Sequence, residues 1–445
     1  MLGDYRIKGR RASDIAADIE RAVGAGELAP GATLPPLRDL AGELGVNPNT
    51  VAAAYRLLRD RGVIETAGRK GSRVRPRPVT TPRDQIHIPV PPGATDLSSG
   101  NPDTALLPAL APAVAVAAAQ GDRDPVLYGH PTADPGLLDL AGAAFRADGV
   151  PGGRLAVCSG SLDAIERILT SRLRPGDLVA TEDPGWGSLL DLLPALGLRP
   201  VSVRLDDEGP LPDSLAAALA AGARAVILTV RAQNPTGAAL TERRAADLRA
   251  VLAGYPGALL IEDDHGHGMV DLPYRPLVGG TAAHWAVVRS ASKAYGPDLR
   301  IALAIGDPET IDLVLGRQRL DAGWVSLLLQ RTVAELWRAD AAPAGTVAAV
   351  YRARREALLA ALAAHGIEAH GASGLNVWVP VPDEPGVVAA LVQSGWVVAP
   401  GARFRMQSPP GIRITIAGLE EARAPRLAAD LAGVLHSSGG RSRST

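Results

Sequence analysis

The sequence is poor in cysteine and in long apolar runs. Its 445 residues contain one cysteine, Cys158, which excludes a disulfide framework within the chain and a cysteine-rich zinc site. No uncharged apolar run reaches the roughly 18 residues that a membrane-spanning helix requires. The first residues, MLGDYRIKGRRASDIAADIE, lack the apolar segment of a secretory signal peptide. These absences predict a cytoplasmic protein, and the length predicts two or three domains.

Lysine is also scarce, and charge is unevenly distributed. Only Lys8, Lys70 and Lys293 are present, although arginine is abundant, so a retained lysine suggests chemistry that arginine cannot perform. Residues 1–77 contain 14 Lys/Arg and 9 Asp/Glu, a net charge of +5, whereas the remainder has a net charge of −6. A basic head on an acidic body fits a nucleic-acid partner for the head, and chance drift in composition is the alternative.

Three amphipathic helices are predicted near the start of the chain. Residues 12–25 carry apolar side chains at helical spacing, and residues 36–44 repeat the pattern over a shorter stretch. A third helix starts at Pro48, a favoured first helical position, with Asn47 as its N-cap. A basic hairpin over residues 63–75 follows. Three helices and a hairpin in this order predict a winged helix-turn-helix, which is a DNA-binding fold.

In such a fold the third helix enters the major groove and the hairpin lies along the DNA backbone. Asn49 and Thr50, at the start of that helix, are therefore predicted to meet base edges or phosphates. Basic side chains supply the phosphate contacts on which affinity depends. The predicted phosphate-contacting residues are Arg38, Arg69, Lys70, Arg73 and Arg75.

The same segment resembles the winged head of the GntR family of bacterial regulators over residues of about 12–75. The motifs that carry the resemblance are G-E-L-A-P-G-A-T-L-P, L-A-G-E-L-G-V, N-T-V and G-R-K-G. The resemblance implies DNA contacts by Arg38, Asn49, Thr50, Lys70 and Gly71, which join Arg69 among the predicted DNA-binding residues. Pro36-Leu37, Pro48 and Ala52 differ from residues that the family often has there, which implies a different base readout. A helix-turn-helix used only for protein contacts is the alternative.

The pattern changes after the hairpin, and it predicts four regions: a head over 1–77, a proline-rich linker over 78–95, a body over 96–435 and a disordered tail over 436–445. In the body, short apolar runs alternate with helical stretches. This alternation predicts an α/β fold with a mainly parallel sheet covered by helices, and a smaller α+β piece towards its end. The predicted strands of the sheet are 154–158, 178–181, 199–204, 225–230, 258–262 and 284–289.

The strongest chemical signal in the body is the run Ser290-Ala291-Ser292-Lys293, directly after an apolar run. A lysine at a strand end, with hydroxyls beside it and Arg300 further on, suits a phosphorylated aldehyde. The amine would form a Schiff base while Ser290, Ser292 and Arg300 hold the phosphate. A surface lysine in a loop is the alternative.

A second signal is the acidic end of the strand Leu259-Leu260-Ile261-Glu262-Asp263-Asp264. Such a carboxylate can pair with a pyridine nitrogen, keep it protonated and make the ring an electron sink. Metal binding is the competing interpretation. Its candidate ligands are Asp263, Asp264, His265 and His267.

Three weaker signals follow other predicted strands. Asn234, in Gln-Asn-Pro-Thr-Gly, can donate to a ring hydroxyl oxygen, although the run could equally be a plain turn. Gly160 and Ser161 lie at a predicted helix start, where backbone N–H groups can cradle a phosphate. Trp186 can stack on a planar ring or serve as a core residue.

The order and spacing of these motifs resemble the fold-type-I aminotransferases over residues of about 96–435, and with the head in front the whole chain resembles the MocR-type regulators. The resemblance implies pyridoxal 5'-phosphate (PLP) on Lys293, Asp263 at its ring nitrogen, Asn234 at its ring hydroxyl and Trp186 stacked on the ring. It further implies a phosphate site formed by Gly160, Ser161, Ser290, Ser292 and Arg300. It also implies that Arg413 binds a ligand carboxylate and that Tyr128 reaches the phosphate of the partner subunit.

His265 departs from the family pattern, which usually has a tyrosine there that donates to the cofactor's ring oxygen. Imidazole can donate too, but it is shorter and titrates near neutrality. We therefore expect a homodimeric regulator that senses an amino acid, an amine or PLP through an aldimine at Lys293. An active aminotransferase with an attached DNA-binding head is the second hypothesis, and a cofactor-free scaffold is the third.

Overall fold

The computed structural model describes residues 5–24, 27–28, 31–60, 63–66, 71–74 and 88–441. The head elements are α1 (Ala12–Gly24), α2 (Leu37–Leu44), α3 (Pro48–Asp60), β1 (Ile64–Thr66) and β2 (Ser72–Val74). The body strands are β3 (Thr95–Leu97), β4 (Arg154–Cys158), β5 (Leu178–Glu182), β6 (Arg199–Val203), β7 (Leu205–Asp206), β8 (Gly209–Pro210), β9 (Ala223–Thr229), β10 (Leu259–Asp264), β11 (Trp285–Ser290), β12 (Ala302–Gly306), β13 (Asn376–Pro380), β14 (Trp396–Pro400) and β15 (Gly411–Thr415). The body helices are α4 (Ala111–Arg123), α5 (Pro135–Ala147), α6 (Ser161–Arg172), α7 (Gly187–Ala195), α8 (Pro212–Ala220), α9 (Glu242–Ala253), α10 (Ser292–Tyr295), α11 (Pro308–Leu320), α12 (Leu327–Arg338), α13 (Ala344–Ala364), α14 (Glu384–Gln393) and α15 (Ala424–Arg441).

Apolar side chains from all three helices and the hairpin hold the head together. Its buried core includes Ile15, Ile19, Leu40, Val51, Tyr55, Leu58, Ile64 and Val74. The Tyr55 hydroxyl donates to the Pro35 carbonyl oxygen at 2.9 Å, which ties α3 to the segment before α2. Asn47 Oδ1 accepts from the Asn49 N–H at 2.8 Å and so caps α3. Three helices and an antiparallel hairpin are therefore confirmed in the predicted order.

The larger sheet of the body has seven strands in the order β4-β12-β11-β10-β9-β5-β6. Strands β9, β10 and β11 are parallel, whereas β12 runs antiparallel to both of its neighbours. Every residue of β10 and β11 is buried, as expected for strands covered on both faces. The register sets Asp263 opposite Thr229 and Val288, so the carboxyl ends of these three strands meet at one edge of the sheet.

A second, four-stranded sheet has the order β13-β15-β14-β3 and forms the smaller part of the body. Its first three strands are antiparallel, and β3 joins β14 in parallel, with Leu97 opposite Val398. Trp396 lies fully buried in the core between this sheet and its helices, and its indole N–H donates to Asp430 at 2.8 Å. The predicted α+β piece is thus present.

Two of the predicted domain boundaries differ from the structure. Ile88 packs against the core of the smaller sheet and Thr95 begins β3, so the body begins inside the predicted linker 78–95. Three strand residues give too short a pattern to recognise among prolines. At the other end, α15 runs to Arg441, so residues 436–441 are helical where a disordered tail was expected. A helix that is already nucleated extends at low cost, even through serine and glycine.

Residues 75–87 and 442–445 lie outside the described part of the chain. Among the described residues, none of the helices combines the length and the apolar character needed to cross a membrane.

Candidate functional site

A cavity of about 290 Å³ opens at the carboxyl ends of the central strands of the larger sheet. Small-molecule sites of roughly 300–1,000 Å³ are common, so this cavity suits one small ligand. Most of the residues that the sequence predicted for a cofactor line it together. They are Ser161, Trp186, Asn234, Asp263, His265, Ser290, Ser292, Lys293, Arg300 and Arg413.

Lys293 lies in the short helix α10, directly after β11, and its Nζ donates to the Gly100 carbonyl oxygen at 2.7 Å. Gly100 has φ +68°, and a Cβ there would stand 3.0 Å from Arg413 Nη2. Gly100 therefore touches both the candidate covalent anchor and the candidate carboxylate-binding arginine. It was not predicted, because its run Ser98-Ser99-Gly100-Asn101 has only the composition of an ordinary turn.

At the start of α6, the guanidinium group of Arg300 packs directly against the backbone of Gly160. Gly160 has φ +94°, and a Cβ there would stand 2.6 Å from Arg300 Nη2, which donates to the Ser159 carbonyl oxygen at 3.1 Å. Arg300 itself has φ +49°, a conformation that non-glycine residues rarely adopt. The Ser161 Oγ is buried and has no hydrogen-bond partner among the described residues. A helix N-terminus beside a guanidinium group and a serine hydroxyl is a favourable environment for an anion.

The acidic side of the cavity is formed by Asp263, which is 4% exposed. Its Oδ2 lies 2.8 Å from His265 Nδ1, and its Oδ1 is buried without a hydrogen-bond partner among the described residues. Burial lowers the pKa of His265, but the charge of Asp263 and its hydrogen bond outweigh burial, so the pKa lies above its usual value. The family pattern, which has a tyrosine at this position, suggested that His265 donates to the ring oxygen of the cofactor. In the structure its Nδ1 instead bonds to Asp263.

Arg413, on β15, is 3% exposed and reaches the cavity from the smaller sheet. Its Nη1 donates to Asn234 Oδ1 at 3.1 Å and its Nη2 to the Ser98 carbonyl oxygen at 2.6 Å. The guanidinium carbon stands 4.5 Å from the centroid of the Phe404 ring. These contacts fix the plane of the guanidinium group, which is the arrangement that paired hydrogen bonds to a carboxylate need.

Two predicted residues behave differently from each other. Trp186 is half-buried and lines the cavity. Tyr128 is 91% exposed, is absent from the cavity lining and makes an edge-on ring contact with Trp324 at 5.7 Å. The cavity of one chain is therefore built without Tyr128.

The buried polar atoms test whether PLP fits these residues. Ser161 Oγ is a hydroxyl that a phosphate oxygen would satisfy, and Asp263 Oδ1 is an acceptor that a protonated ring nitrogen would satisfy. Buried polar groups are seldom left without partners. The donors and acceptors of the cavity therefore fit a ligand with an anionic group and a protonated ring, as PLP has.

A buried charge network that the sequence did not reveal lies behind the cavity. Asp264 accepts from Arg231 Nε at 2.9 Å and Arg231 Nη2 at 3.0 Å, and from Arg289 Nε at 2.8 Å. Arg289 Nη2 also bonds to Asp148 at 2.5 Å. Among the described residues, ligand atoms of Asp264, His267 and Asp148 lie within 4.8 Å of one another, but the charges of the two guanidinium groups oppose a cation there. The network instead ties the ends of β9, β10 and β11 together.

Glu262, one residue before Asp263, is fully buried and gives a pH-dependent prediction. It accepts from the N–H groups of Leu277 and Val278 and from the Tyr274 hydroxyl. Burial raises its pKa to about 7. Since this value exceeds that of the unfolded chain, the protonated carboxyl stabilises the fold at low pH, and this contribution is lost as the pH rises through about 7.

We therefore expect Glu262→Gln to flatten the pH dependence of stability. Between about pH 5.5 and pH 8, wild type should lose about 2 kcal/mol of unfolding free energy relative to the variant. Urea denaturation of both proteins across this range would measure the difference. Glu182, whose pKa burial also raises to about 7, is unchanged in both proteins. Parallel pH profiles would contradict the prediction.

The structure describes five of the candidate DNA-contacting residues, which are Arg38, Asn49, Thr50, Gly71 and Arg73. Arg38 on α2 and Asn49 in the first turn of α3 are exposed, Thr50 is half-buried, and Gly71 is exposed beside β2. Arg73 pairs with Glu65 at 2.6 Å, which makes it less available to phosphate. Arg69, Lys70 and Arg75 lie outside the described residues, so their predicted contacts stay predictions.

Comparisons with known proteins agree with both parts of the fold. Residues 92–431 match the family "Aminotransferase class I and II", and residues 11–74 match "Bacterial regulatory proteins, gntR family". The chain is 41% identical over 434 residues to the vitamin B6 salvage pathway transcriptional repressor PtsJ of Salmonella typhimurium, covering 96% of this chain and 98% of the relative. It is 30% identical to the pyridoxine biosynthesis transcriptional regulator PdxR of Corynebacterium glutamicum, covering 60% and 59%. A kynurenine aminotransferase structure from Pyrococcus horikoshii, 20% identical, covers 78% of this chain and 92% of its own with a TM-score of 0.68, which supports the fold alone.

A winged helix-turn-helix head and a fold-type-I aminotransferase body define a DNA-binding transcriptional regulator built on an enzyme fold. The chain belongs to the MocR-type regulators, which join a GntR-family head to such a body. The predicted fold class and regulatory function are thereby confirmed. The aminotransferases whose fold it shares form a PLP-dependent family.

Proposed function

We propose that this regulator binds PLP at Lys293, and that the loaded body responds to an amino acid, an amine or PLP itself. When bound, the cofactor supplies an aldehyde carbon that reacts with amines and a ring that withdraws electrons. One observation carries the proposal. The Lys293 amine shares a cavity with two buried polar atoms, Ser161 Oγ and Asp263 Oδ1, that have no partner among the described residues.

The side chains of the cavity have distinct roles in this proposal. Lys293 holds the cofactor covalently, Asp263 accepts from its ring nitrogen, Asn234 faces its ring hydroxyl and Trp186 stacks on the ring. The phosphate-binding residues are Gly160, Ser161, Ser290, Ser292 and Arg300. The close approach of the Arg300 guanidinium group to Gly160, which only a residue without a Cβ allows, supports this assignment.

Arg413 gives the site its preference among ligands. Its guanidinium group is already oriented by Asn234, Ser98 and Phe404, so a ligand carboxylate would meet a rigid fork. An amino acid therefore has two points of attachment in the cavity, its amine and its carboxylate. A simple amine has only the first of these groups, and PLP has neither.

We further propose a homodimer, in which Tyr128 of a second copy reaches the phosphate. The 91% exposure of Tyr128 supports this, because its aromatic ring is not used within its own chain's cavity. Two heads in a dimer would bind paired half-sites on DNA. An effector can change that binding only if it prefers one arrangement of the protein over another.

A working aminotransferase is the second candidate function, since Lys293 and Arg413 are both present in the cavity. A histidine at position 265 counts against efficient turnover. Sustained conversion of an amino acid and a 2-oxo acid, with no protected DNA at any promoter, would favour the enzyme.

The experiment that tests the proposed function is a footprint on the DNA flanking the protein's own gene and on vitamin B6 genes. The names of the relatives PtsJ and PdxR direct attention to the latter. We expect a protected site whose occupancy changes when PLP or an effector amine is added. A colourless protein after incubation with PLP, together with unchanged footprints, would contradict the proposal.

The DNA contacts of the head give a further prediction. Arg38→Ala should lower the slope of log affinity against log salt concentration by about one, because each neutralised phosphate contributes roughly 0.9. Salt titrations of binding to the protected site would measure the slope. Arg21→Ala is the matched control, since it also removes a head arginine, but one already paired with Asp18 at 3.2 Å and Glu27 at 3.3 Å. Equal slopes for wild type and Arg38→Ala would contradict a phosphate contact.

A further inference from the structure

The contact between His265 and Asp263 assigns a role to a residue that differs from the family pattern. His265 Nδ1 lies 2.8 Å from Asp263 Oδ2, and the other carboxylate oxygen, Oδ1, is buried with no partner among the described residues. We propose that His265 is a positioning residue: it donates through Nδ1 to Oδ2 and holds Oδ1 ready for the ring nitrogen of the cofactor. This inference rests on the proposed PLP site.

A carboxylate needs such a restraint because rotation about its last bond is soft. Either oxygen of a freely rotating carboxylate could face the cavity, and time in other orientations weakens a contact that must be well aligned. A hydrogen bond to one oxygen removes that freedom before the ligand arrives. Sites whose contacting groups are fixed by a second layer of hydrogen bonds bind more tightly for this reason.

The backbone around His265 keeps the ring in place. His265 follows directly after β10, whose Asp264 is bonded to two arginines. The next residue, Gly266, is packed so closely that a Cβ there would stand 3.1 Å from the Ala232 Cβ. The backbone is thus held in place on both sides of His265. This fixes the position from which the imidazole side chain extends.

Electrostatics strengthen the same contact. Burial and the charge of Lys293 lower the pKa of His265, but the charge and the hydrogen bond of Asp263, together with the charge of Asp264, outweigh them and favour the protonated imidazole. A hydrogen bond between a protonated imidazole and a carboxylate is stronger than one between neutral groups. In the neutral ring Nδ1 can still carry the proton, so the donor persists in both states.

A side chain at position 265 could contact either the carboxylate of Asp263 or the ring oxygen of the cofactor. A tyrosine at this position would extend its hydroxyl past Asp263 to the ring oxygen. The imidazole is shorter, and its Nδ1 is engaged with the carboxylate. Position 265 therefore supports the binding of the cofactor's ring nitrogen in this protein through its contact with Asp263.

Two amide substitutions distinguish the nitrogens of the imidazole. Asparagine places its amide nitrogen near the position of Nδ1, and glutamine places it near that of Nε2. We expect His265→Asn to bind PLP within about threefold of wild type. His265→Gln and His265→Ala should bind at least about tenfold more weakly, which corresponds to about 1.4 kcal/mol. The full-length proteins would be titrated with PLP, and the visible absorbance band of the lysine-bound cofactor would be followed.

The effect of His265→Ala on PLP affinity can also be measured in a protein that carries Asp263→Asn. This comparison distinguishes a positioning role from a merely structural one. If His265 acts by positioning the carboxylate, His265→Ala should change PLP affinity by less than about twofold once that carboxylate is gone, because interacting residues are not additive. Circular dichroism and urea midpoints of the apo proteins would confirm that each variant is folded. An unfolded single variant leaves the asparagine and glutamine pair to decide the question.

Each outcome has one meaning. Retained affinity in His265→Gln with loss in His265→Asn would overturn the proposal and assign the contact to Nε2. Equal affinity in all variants would overturn any positioning role for His265, while the PLP site itself would stand. Failure of wild type to bind PLP would overturn the proposed function, and this inference with it.

Discussion

Lys293→Ala should abolish covalent attachment of PLP completely. Lys293 is the only lysine after residue 70, so no neighbouring amine in the body can replace it. Wild type incubated with PLP should be yellow, and borohydride should fix the cofactor to the chain. The variant should show neither the visible band nor a fixed label after dialysis. Absorbance and intact mass spectrometry would measure both.

Lys293→Arg is the matched control for this experiment. Arginine keeps the positive charge and can donate to the Gly100 carbonyl oxygen that Lys293 contacts, but it cannot form the covalent bond. Both variants should therefore lack the fixed label, and the arginine variant should preserve the local charge balance. A label that survives in either one would show attachment at another lysine and overturn the assignment of Lys293. DNA binding by the head should persist in both, while any response to PLP is lost.

Asp264→Ala should destabilise the body by about 3–5 kcal/mol. Burial raises the pKa of Asp264, but the charges of Arg289 and Arg231 outweigh it and hold the pKa below its usual range. Removal of the carboxylate leaves two guanidinium groups, 1% and 5% exposed, with only the half-buried Asp148 as a counterion. An uncompensated buried charge costs far more than the pair itself contributes. Urea denaturation of the full-length protein would measure the loss.

Asp312→Ala is the corresponding control on the surface. Asp312 pairs with Arg154 at 2.7 Å, but the two side chains are 51% and 57% exposed. An exposed pair of this kind contributes about 0–1 kcal/mol. A comparable loss for both variants would mean that burial is not the cause of the Asp264 effect. A small loss for Asp264→Ala would indicate that the two arginines find other partners.

The parts of the site that the sequence predicted are those in which a distinctive side chain follows a strand. Lys293 follows β11, Asp263 is the next-to-last residue of β10, and Ser161 begins α6 after β4, so strand ends and motif spacing sufficed to bring them together. Gly100 was missed because it acts through a carbonyl oxygen, which every residue possesses. The role of Tyr128 stays a prediction, because its predicted place is in a second copy of the chain.

Elements and contacts that depend on pairing between distant strands were harder to predict. The residues of β12, Ala-Leu-Ala-Ile-Gly, are small and apolar and fit a helix as well as a strand. The network of Arg231, Asp264 and Arg289 requires the register of three adjacent strands, which periodicity does not reveal. The hydrogen bond from His265 to Asp263 likewise follows from where the chain turns after β10.

Strand β3 leads directly into two backbone hydrogen-bond acceptors of the cavity. It is the first strand of the body after the proline-rich segment, and it is followed within three residues by Ser98 and Gly100. Their carbonyl oxygens are the acceptors for Arg413 and Lys293. A shift of β3 along β14 would thus move both acceptors at once. It would change the positions of Lys293 and Arg413 together, and with them the proposed contacts to the amine and carboxylate ends of a ligand.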